Sequence, residues 1–321
     1  MKAIVRTRYG PPESLRLVET EAPPVGDDEI LIEVVASSVN PYDCHATRGQ
    51  PYLIRLESGL RAPKNPALGI DVAGRVAEIG KDVHGFKLGD EVFGRAVGAL
   101  AELALSDEKH LAHKPSQLTF DLAASIPCAG VAALKGLRDK GQVREGHSVL
   151  INGASGGVGT FAVQIATALG ASVTGVCSTT NLEFVRSIGA VDVVDYTNTD
   201  FTQLDTKYDV VLDLIGNRSL RHLRRALKPE GVLVIAGVGT GKWFGPVLRM
   251  LRAKVTSPFV RQQLRPLVAN VSTADLNDVC SLYQEGLLAP IIDRTYSLIH
   301  APDAVTYVGA GHARGKVVVV N

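Results

Sequence analysis

Apolar positions along the chain fall into two textures. Up to about residue 118 they gather in short β-like runs: KAIVRT, EILIEVVASSV, DVAGRVAEIG, DEVFGRAV and AELALS. Pro23-Pro24, Gly26-Asp27, Lys64-Asn65-Pro66 and Gly89-Asp90 supply turn chemistry between them. That pattern predicts an irregular, mainly β domain. Across HKPSQLTFDLAASIPCAGVAALKGL the text becomes helical, and from Ser148 it becomes regular. SVLIN is apolar almost without interruption, as a parallel strand covered on both faces requires. Phe161, Ile165 and Leu169 then recur at helical spacing, with Val158 and Ala162 on the adjoining stripe. SVTGVC, VDVVDY, YDVVLDLI and GVLVIAGV read as further strands, with NLEFVRSIGA and RSLRHLRRALKP as helices among them. Such alternation predicts an α/β fold with a doubly wound parallel sheet. After the helical TADLNDVCSLYQEG, β-like text returns in IIDRTYSL and GKVVVV, which are expected to rejoin the first domain.

Composition adds mostly exclusions. A chain of 321 residues suits one large or two medium domains. A formal charge of +1 without a basic run argues against a nucleic-acid partner. No apolar stretch is long enough for a membrane span, and the first residues lack the apolar core of a signal peptide. Cys44, Cys128, Cys177 and Cys280 form no C-x-x-C pair and fit reduced, buried thiols. The expectation is a cytoplasmic enzyme.

Candidate chemistry concentrates in Gly153-Ala154-Ser155-Gly156-Gly157-Val158-Gly159. A dinucleotide turn needs glycine there, because the backbone bends sharply and must approach phosphate oxygens, while the following helix start offers N–H groups. The same letters spell G-x-S-x-G, the elbow presenting the nucleophilic serine of α/β-hydrolases. On that reading Ser155 is the nucleophile, with Asp213 and His300 or His312 later in the chain. An elbow does not explain Gly159, nor the place of this strand as the first of the β/α series. A tight turn without a ligand is a further alternative. YDVVLDLIGNRSLRHLRRALKPEGVLVIAGV also has the texture of an S-adenosylmethionine-dependent methyltransferase, although those lack a β domain of this size ahead of the turn.

For an NAD site, an Asp or Glu is expected at the end of the second strand to bind the ribose 2′-OH. Here that place reads Val176-Cys177-Ser178-Thr179-Thr180-Asn181, without a carboxylate. Hydroxyls and an amide tolerate a 2′-phosphate that a carboxylate would repel, so NADP(H) is favoured.

NPYDCHATRG, LGIDVAGRVAEIGKDVHGFKLGDEVFG, GASGGVGTFAVQIA and GHARGKVVV together resemble the medium-chain dehydrogenase/reductase superfamily. Within it the chain is most similar to the zinc-free quinone oxidoreductase, or ζ-crystallin-like, branch. The resemblance implies a GroES-like catalytic domain from residues 1–118 and 289–321, a Rossmann domain over 119–288, NADP(H) as cofactor and a homodimer. It implies cofactor contacts at Ser155, Gly156, Gly157 and Val158 for the pyrophosphate, and at Ser178, Thr179 and Asn181 for the adenosine phosphate. Tyr196 is implied at the adenine, Ala236, Gly237 and Val238 at the nicotinamide amide, and Phe259 and Lys316 at the cleft. Zinc-dependent relatives carry Cys where this chain has Asn40, and Gly-His-Glu where it has Gly69-Ile70-Asp71, so no metal is expected. Asn40, Asp43 and Tyr52 are the candidate catalytic residues, with Asn40 toward the nicotinamide ribose or substrate oxygen, and Tyr52 as a proton relay. Asp43 is also read as a brace of the helix start. The implied reaction is hydride transfer to a small electrophile, a quinone or α,β-unsaturated carbonyl. An enoyl-thioester reductase of the same fold is the rival, and it would need a basic landing place for its carrier.

Overall fold

The computed structural model of the chain describes residues 1–236 and 245–321, excepting the side chains of Glu57 and of residues 245–247. Two compact units divide it: residues 1–131, 271–280 and 290–321 form one, and residues 132–270 and 281–289 the other.

The first unit begins with a two-stranded antiparallel ribbon, β1 (Lys2–Val5) and β2 (Arg16–Glu19). A long strand, β3 (Glu29–Val39), stops at Asn40, where Pro41 fixes the first turn of helix α1 (Pro41–Arg48). The short helix α2 (Ile54–Ser58) follows. Strands β4 (Asp71–Ile79), β5 (Glu91–Arg95), β6 (Leu103–Asp107) and β7 (Leu111–His113) then build the sheet outward from β3. Ile30, Ile32, Val34, Val72, Val76, Val92 and Leu111 alternate inward from these strands into one core. Helices α3 (Phe120–Ala124) and α4 (Pro127–Leu134) lead the chain toward the second unit.

That unit holds β8 (Ser148–Asn152), α5 (Gly157–Ala168), β9 (Ser172–Cys177), α6 (Leu182–Ser187) and β10 (Asp192–Asp195). Next come β11 (Tyr208–Asp213), α7 (Leu220–Arg225), β12 (Leu227–Ile235), α8 (Gly245–Thr256) and β13 (Gln263–Pro266). Its six strands are parallel and run β10-β9-β8-β11-β12-β13, so the chain reverses direction across the sheet at β8. This is the doubly wound Rossmann order, and ligands gather at such a switch point. Val149, Leu150, Ile151, Val211, Leu212, Leu233 and Val234 are buried, which explains why these strands read as continuous apolar text.

Two elements differ from the sequence pattern. The helix expected over RSLRHLRRALKP ends at Arg225, because Leu227 already pairs with Tyr208 as the first residue of β12. Strand β13 stands at the sheet edge, and its four residues QLRP give no strand signal.

Helix α9 (Thr273–Gln284) begins in the first unit and ends in the second. The chain then adds β14 (Ile292–Ser297), α10 (Ala301–Gly309) and β15 (Lys316–Val320) to the first unit. There β15 pairs antiparallel with β3, Val317 opposite Val39, and parallel with β14. No helix among the described residues is long and apolar enough to cross a membrane.

Candidate functional site

In the second unit, the turn after β8 depends on glycine at two points for opposite reasons. Gly153 has φ +98°, a region L side chains rarely adopt, and a Cβ there would meet the Ile215 side chain at 2.7 Å. Gly159 lies inside α5, where an added Cβ would stand 2.0 Å from the Gly153 carbonyl oxygen. Only glycine lets the helix approach its own turn so closely. Gly156 is the contrasting case: a Cβ there would meet nothing nearer than 3.6 Å, and no side chain caps the start of α5. Room beside uncapped N–H groups at the positive end of a helix is what a pyrophosphate requires. The N–H groups of Gly153 and Ala154 both donate to the Val176 carbonyl, at 3.1 and 3.0 Å, which ties the turn to β9.

The end of β9 reaches the same place. Asn181 Nδ2 donates to Ser155 Oγ at 3.3 Å and to Ser178 Oγ at 3.1 Å, joining the turn to the second strand. Its Oδ1 is buried with no hydrogen-bond partner among the described residues. An unmet buried acceptor is costly, so this one is open to a donor from outside the chain. Thr179 Oγ1 donates to Asp195 Oδ2 at 2.6 Å. Asp195, at the end of β10, thus sets a carboxylate beside the hydroxyls that follow β9. Hydrogen bonds from Thr179 and then Thr197 hold the Asp195 carboxyl below the usual range. Tyr196 leaves its ring about half exposed while its N–H donates to the Cys177 carbonyl at 3.1 Å. Val158 is half-buried in the first turn of α5, Ala236 donates its N–H to the Asp213 carbonyl at 3.0 Å, and Phe259 is exposed. Gly237 and Val238 lie outside the described residues.

In the first unit, three adjacent strand ends bring polar groups together beneath α1. Register places Ser38 of β3 opposite Asp71, the first residue of β4, and Val39 beside Val317 of β15. Asp71 Oδ2 accepts from Ser38 Oγ at 2.7 Å and Asn40 Nδ2 at 2.9 Å, and Oδ1 accepts from the Cys128 N–H at 3.0 Å. Lys316 Nζ donates to Asn40 Oδ1 at 2.6 Å and lies 3.3 Å from Asp71 Oδ2. Both ends of the Asn40 amide are thus engaged within the cluster. All of these residues except Cys128 are buried.

Asp43, wholly buried, accepts the Asn40 N–H on Oδ2 at 2.8 Å and bridges the start of α1. Its Oδ1 has no partner among the described residues. Burial pushes this carboxyl up to about 7, Asp71 adds to the rise, and the Asn40 N–H and Lys316 oppose it. Below about pH 7 the buried set therefore holds the Asp71–Lys316 ion pair beside a carboxyl that keeps its proton. Tyr52 is half-buried ahead of α2, with the Arg55 guanidinium 4.8 Å from its ring centre. Burial raises the Cys44 and Cys128 thiols to about 12, so neither is a ready thiolate. Among the described residues no three His, Cys, Asp or Glu side chains gather as a metal site.

The partners of Asp213 bear on the hydrolase reading. Its carboxylate accepts from Asn152 Nδ2 and the Gly216 N–H and pairs with Arg249, and no histidine is among its partners. His300 Nδ1 is 3.1 Å from Asp303 instead.

The fold and the turn define a class first: a Rossmann dinucleotide-binding domain in one chain with a β-rich domain that carries a buried polar cluster. Residues 26–116 match the family model of the alcohol dehydrogenase GroES-like domain, and residues 188–319 that of zinc-binding dehydrogenase. The chain is 33% identical over 354 residues to the mitochondrial NAD(P)H oxidoreductase RTN4IP1 of Danio rerio, spanning 99% of this chain and 91% of that protein. It is 33% identical over 334 residues to the 2-methylene-furan-3-one reductase of Solanum lycopersicum, spanning 99% and 79%. Among solved structures, the quinone oxidoreductase from Coxiella burnetii aligns with a TM-score of 0.89 at 30% identity, over 100% of this chain and 99% of that one. The chain belongs to the medium-chain dehydrogenase/reductase superfamily, in its quinone oxidoreductase branch, and is an oxidoreductase. Membership removes the hydrolase and methyltransferase readings of the glycine turn.

Proposed function

We propose that the protein is an NADPH-dependent, zinc-independent reductase of quinones or α,β-unsaturated carbonyls. The coarser statement, a nicotinamide-dependent oxidoreductase, rests on the uncapped start of α5 above a turn where Gly153 and Gly159 admit no other residue. That observation carries the reading. Bound NADPH would supply the hydride. Gly156, Gly157 and Val158 would hold the pyrophosphate with backbone N–H groups, and Ser155, positioned by Asn181, would add a hydroxyl. Ser178, Thr179 and Asn181 would meet the adenosine end, beside Tyr196. The hydroxyls closing β9 favour the 2′-phosphate, and Asp195 opposes it, although four hydrogen bonds from Thr179, Thr197 and Asn198 spread its charge.

Zinc independence is supported by the donor set. Asn40 and Asp71 hold the Lys316 ammonium, which gives that corner a fixed cation of its own. Without a Lewis acid to polarise a simple ketone, the reading favours acceptors that are already electron-poor. In this reading Asn40 and Asp43 shape the start of α1, and Tyr52 delivers the proton.

Stopped-flow oxidation of NADPH against quinones, enones, simple ketones and aldehydes, with and without a chelator, tests the proposal. Rapid oxidation by quinones or enones, unchanged by chelation, is expected. Turnover of simple ketones that the chelator abolishes would refute zinc independence. Failure of every acceptor, together with no NADPH or NADH binding, would refute the whole reading.

A further inference from the structure

A cavity of about 350 Å³ opens in the first unit beside Asp43, between the end of β1, α1, α2 and the loop after β5. Ile54, Leu68, Ile70 and Val97 line part of it. Three further lining residues are cationic: Arg6, Lys64 and Arg95. They come from three separate places in the sequence, and all three line this cavity. Among the described residues the one acidic side chain lining it is Asp43, whose carboxyl burial raises to about 7.

Arg6 is the informative member. It is 6% exposed, its Nη1 donates to the Ala46 carbonyl, and its Nε is buried with no partner among the described residues. No acidic side chain among the described residues forms an ion pair with Arg6, Lys64 or Arg95. Elsewhere the chain treats such groups differently: the buried Lys316 faces Asp71, and the nearly buried Arg249 faces Asp213. A buried guanidinium left without a counter-charge is expensive unless something else supplies one. A planar carboxylate matches its forked donors.

We propose that this cavity selects an acceptor that itself carries a carboxylate, bound by Arg6 with Lys64 and Arg95 at the mouth. The inference rests on the reductase reading above for the word acceptor, and on the cavity alone for the charge. A volume of about 350 Å³ suits a small acceptor that carries the carboxylate itself, and not a long carrier.

The test compares an enone bearing a free carboxylate with its methyl ester, on the wild type and on Arg95→Gln, Lys64→Gln and Arg6→Met. The wild type is expected to show kcat/KM at least about tenfold higher for the carboxylate, through KM, since one charge-assisted hydrogen bond has that worth. Arg95→Gln and Lys64→Gln change exposed side chains, so they keep the test valid if Arg6→Met fails to fold. In each folded variant the carboxylate-to-ester ratio should fall several-fold, and salt should lower it in the wild type. Equal kcat/KM for the two acceptors, or a ratio the substitutions leave unchanged, overturns the proposal while leaving the reductase reading intact. A crotonyl thioester of coenzyme A that outperforms the carboxylate and loses rate in Arg95→Gln also overturns it, by moving the charge to a remote phosphate. If no acceptor is reduced, the reductase reading fails, and calorimetric titration with the carboxylate and its ester decides the cavity separately. Preferential carboxylate binding that Arg95→Gln weakens supports it, and equal binding refutes it.

Discussion

Replacing Asp43 by Asn isolates the cost of a carboxyl buried beside a second acid. Asparagine keeps an oxygen for the Asn40 N–H, so the brace at the start of α1 survives. Burial raises the native carboxyl from 3.8 to about 7. The native state therefore holds a proton that the unfolded chain has already lost between those values. Stability from this group is fully present below about pH 4 and is lost as pH rises through about 7. Each unit of pKa corresponds to about 1.4 kcal/mol, so the wild type should lose roughly 3 kcal/mol between pH 5 and 8 from Asp43 alone. Above that range the native state carries Asp43 and Asp71 as two buried anions facing one ammonium.

Denaturant unfolding of wild type and Asp43→Asn at half-unit pH steps reads this directly. Subtracting one curve from the other cancels the titrating groups that do not interact with Asp43. The difference should move in favour of the variant by roughly 3 kcal/mol from pH 5 to 8 and be flat above it. A difference that stays constant across that range would mean that Asp43 is ionised throughout, and the neutral buried carboxyl would be wrong.

Lys316→Met should destabilise the first unit by about 3–5 kcal/mol, because it strands the Asp71 carboxylate; unfolding of Asp71→Asn/Lys316→Met, which should recover part of the loss, is the check. Gly159→Ala should cost at least about 1–3 kcal/mol and weaken cofactor binding, since the new methyl meets the Gly153 carbonyl; melting curves and fluorescence titration with NADPH measure both effects. Asp195→Asn should raise the ratio of NADPH to NADH efficiency, and an unchanged ratio would show that this carboxylate does not face the adenosine phosphate.

The legible parts of this molecule are those in which neighbours in sequence decide the outcome. Alternating burial exposes the strands, and β8 with α5 announces itself because turn, helix start and apolar strand lie within a single stretch. Strand β13 escapes for the converse reason: QLRP becomes a strand only by adding to the edge of β12. The cluster under α1 was half legible. Asn40, Asp43 and Lys316 each lie in a recognisable motif, but the bonds of Lys316 to Asn40 and Asp71 arise only when β15 pairs beside β3. Asp195 lies at the end of the third strand of the series, so its place beside Thr179 emerges only when β10 pairs with β9. Arg6 and Arg95 carry no local signal whatever. They line one cavity only once β1 and β5 belong to the same unit.

On the proposed reading, what Lys316 is bonded to limits the chemistry. An ammonium has three protons, and here the acceptors within reach are Asn40 Oδ1, Asp71 Oδ2 and the Val39 carbonyl. None of these is a substrate, so the cation that replaces a metal in this corner is spent on structure. It fixes α1 and the ends of three strands, and it has little left with which to polarise an acceptor oxygen. Activation must then come from the acceptor's own conjugation, or from cations elsewhere. Arg6, Lys64 and Arg95 are such cations, but guanidinium and ammonium groups lining one cavity suit a full negative charge better than a carbonyl dipole. The two inferences therefore constrain each other: an acceptor whose double bond is already electron-poor, and whose carboxylate, not its carbonyl, is what the cavity grips.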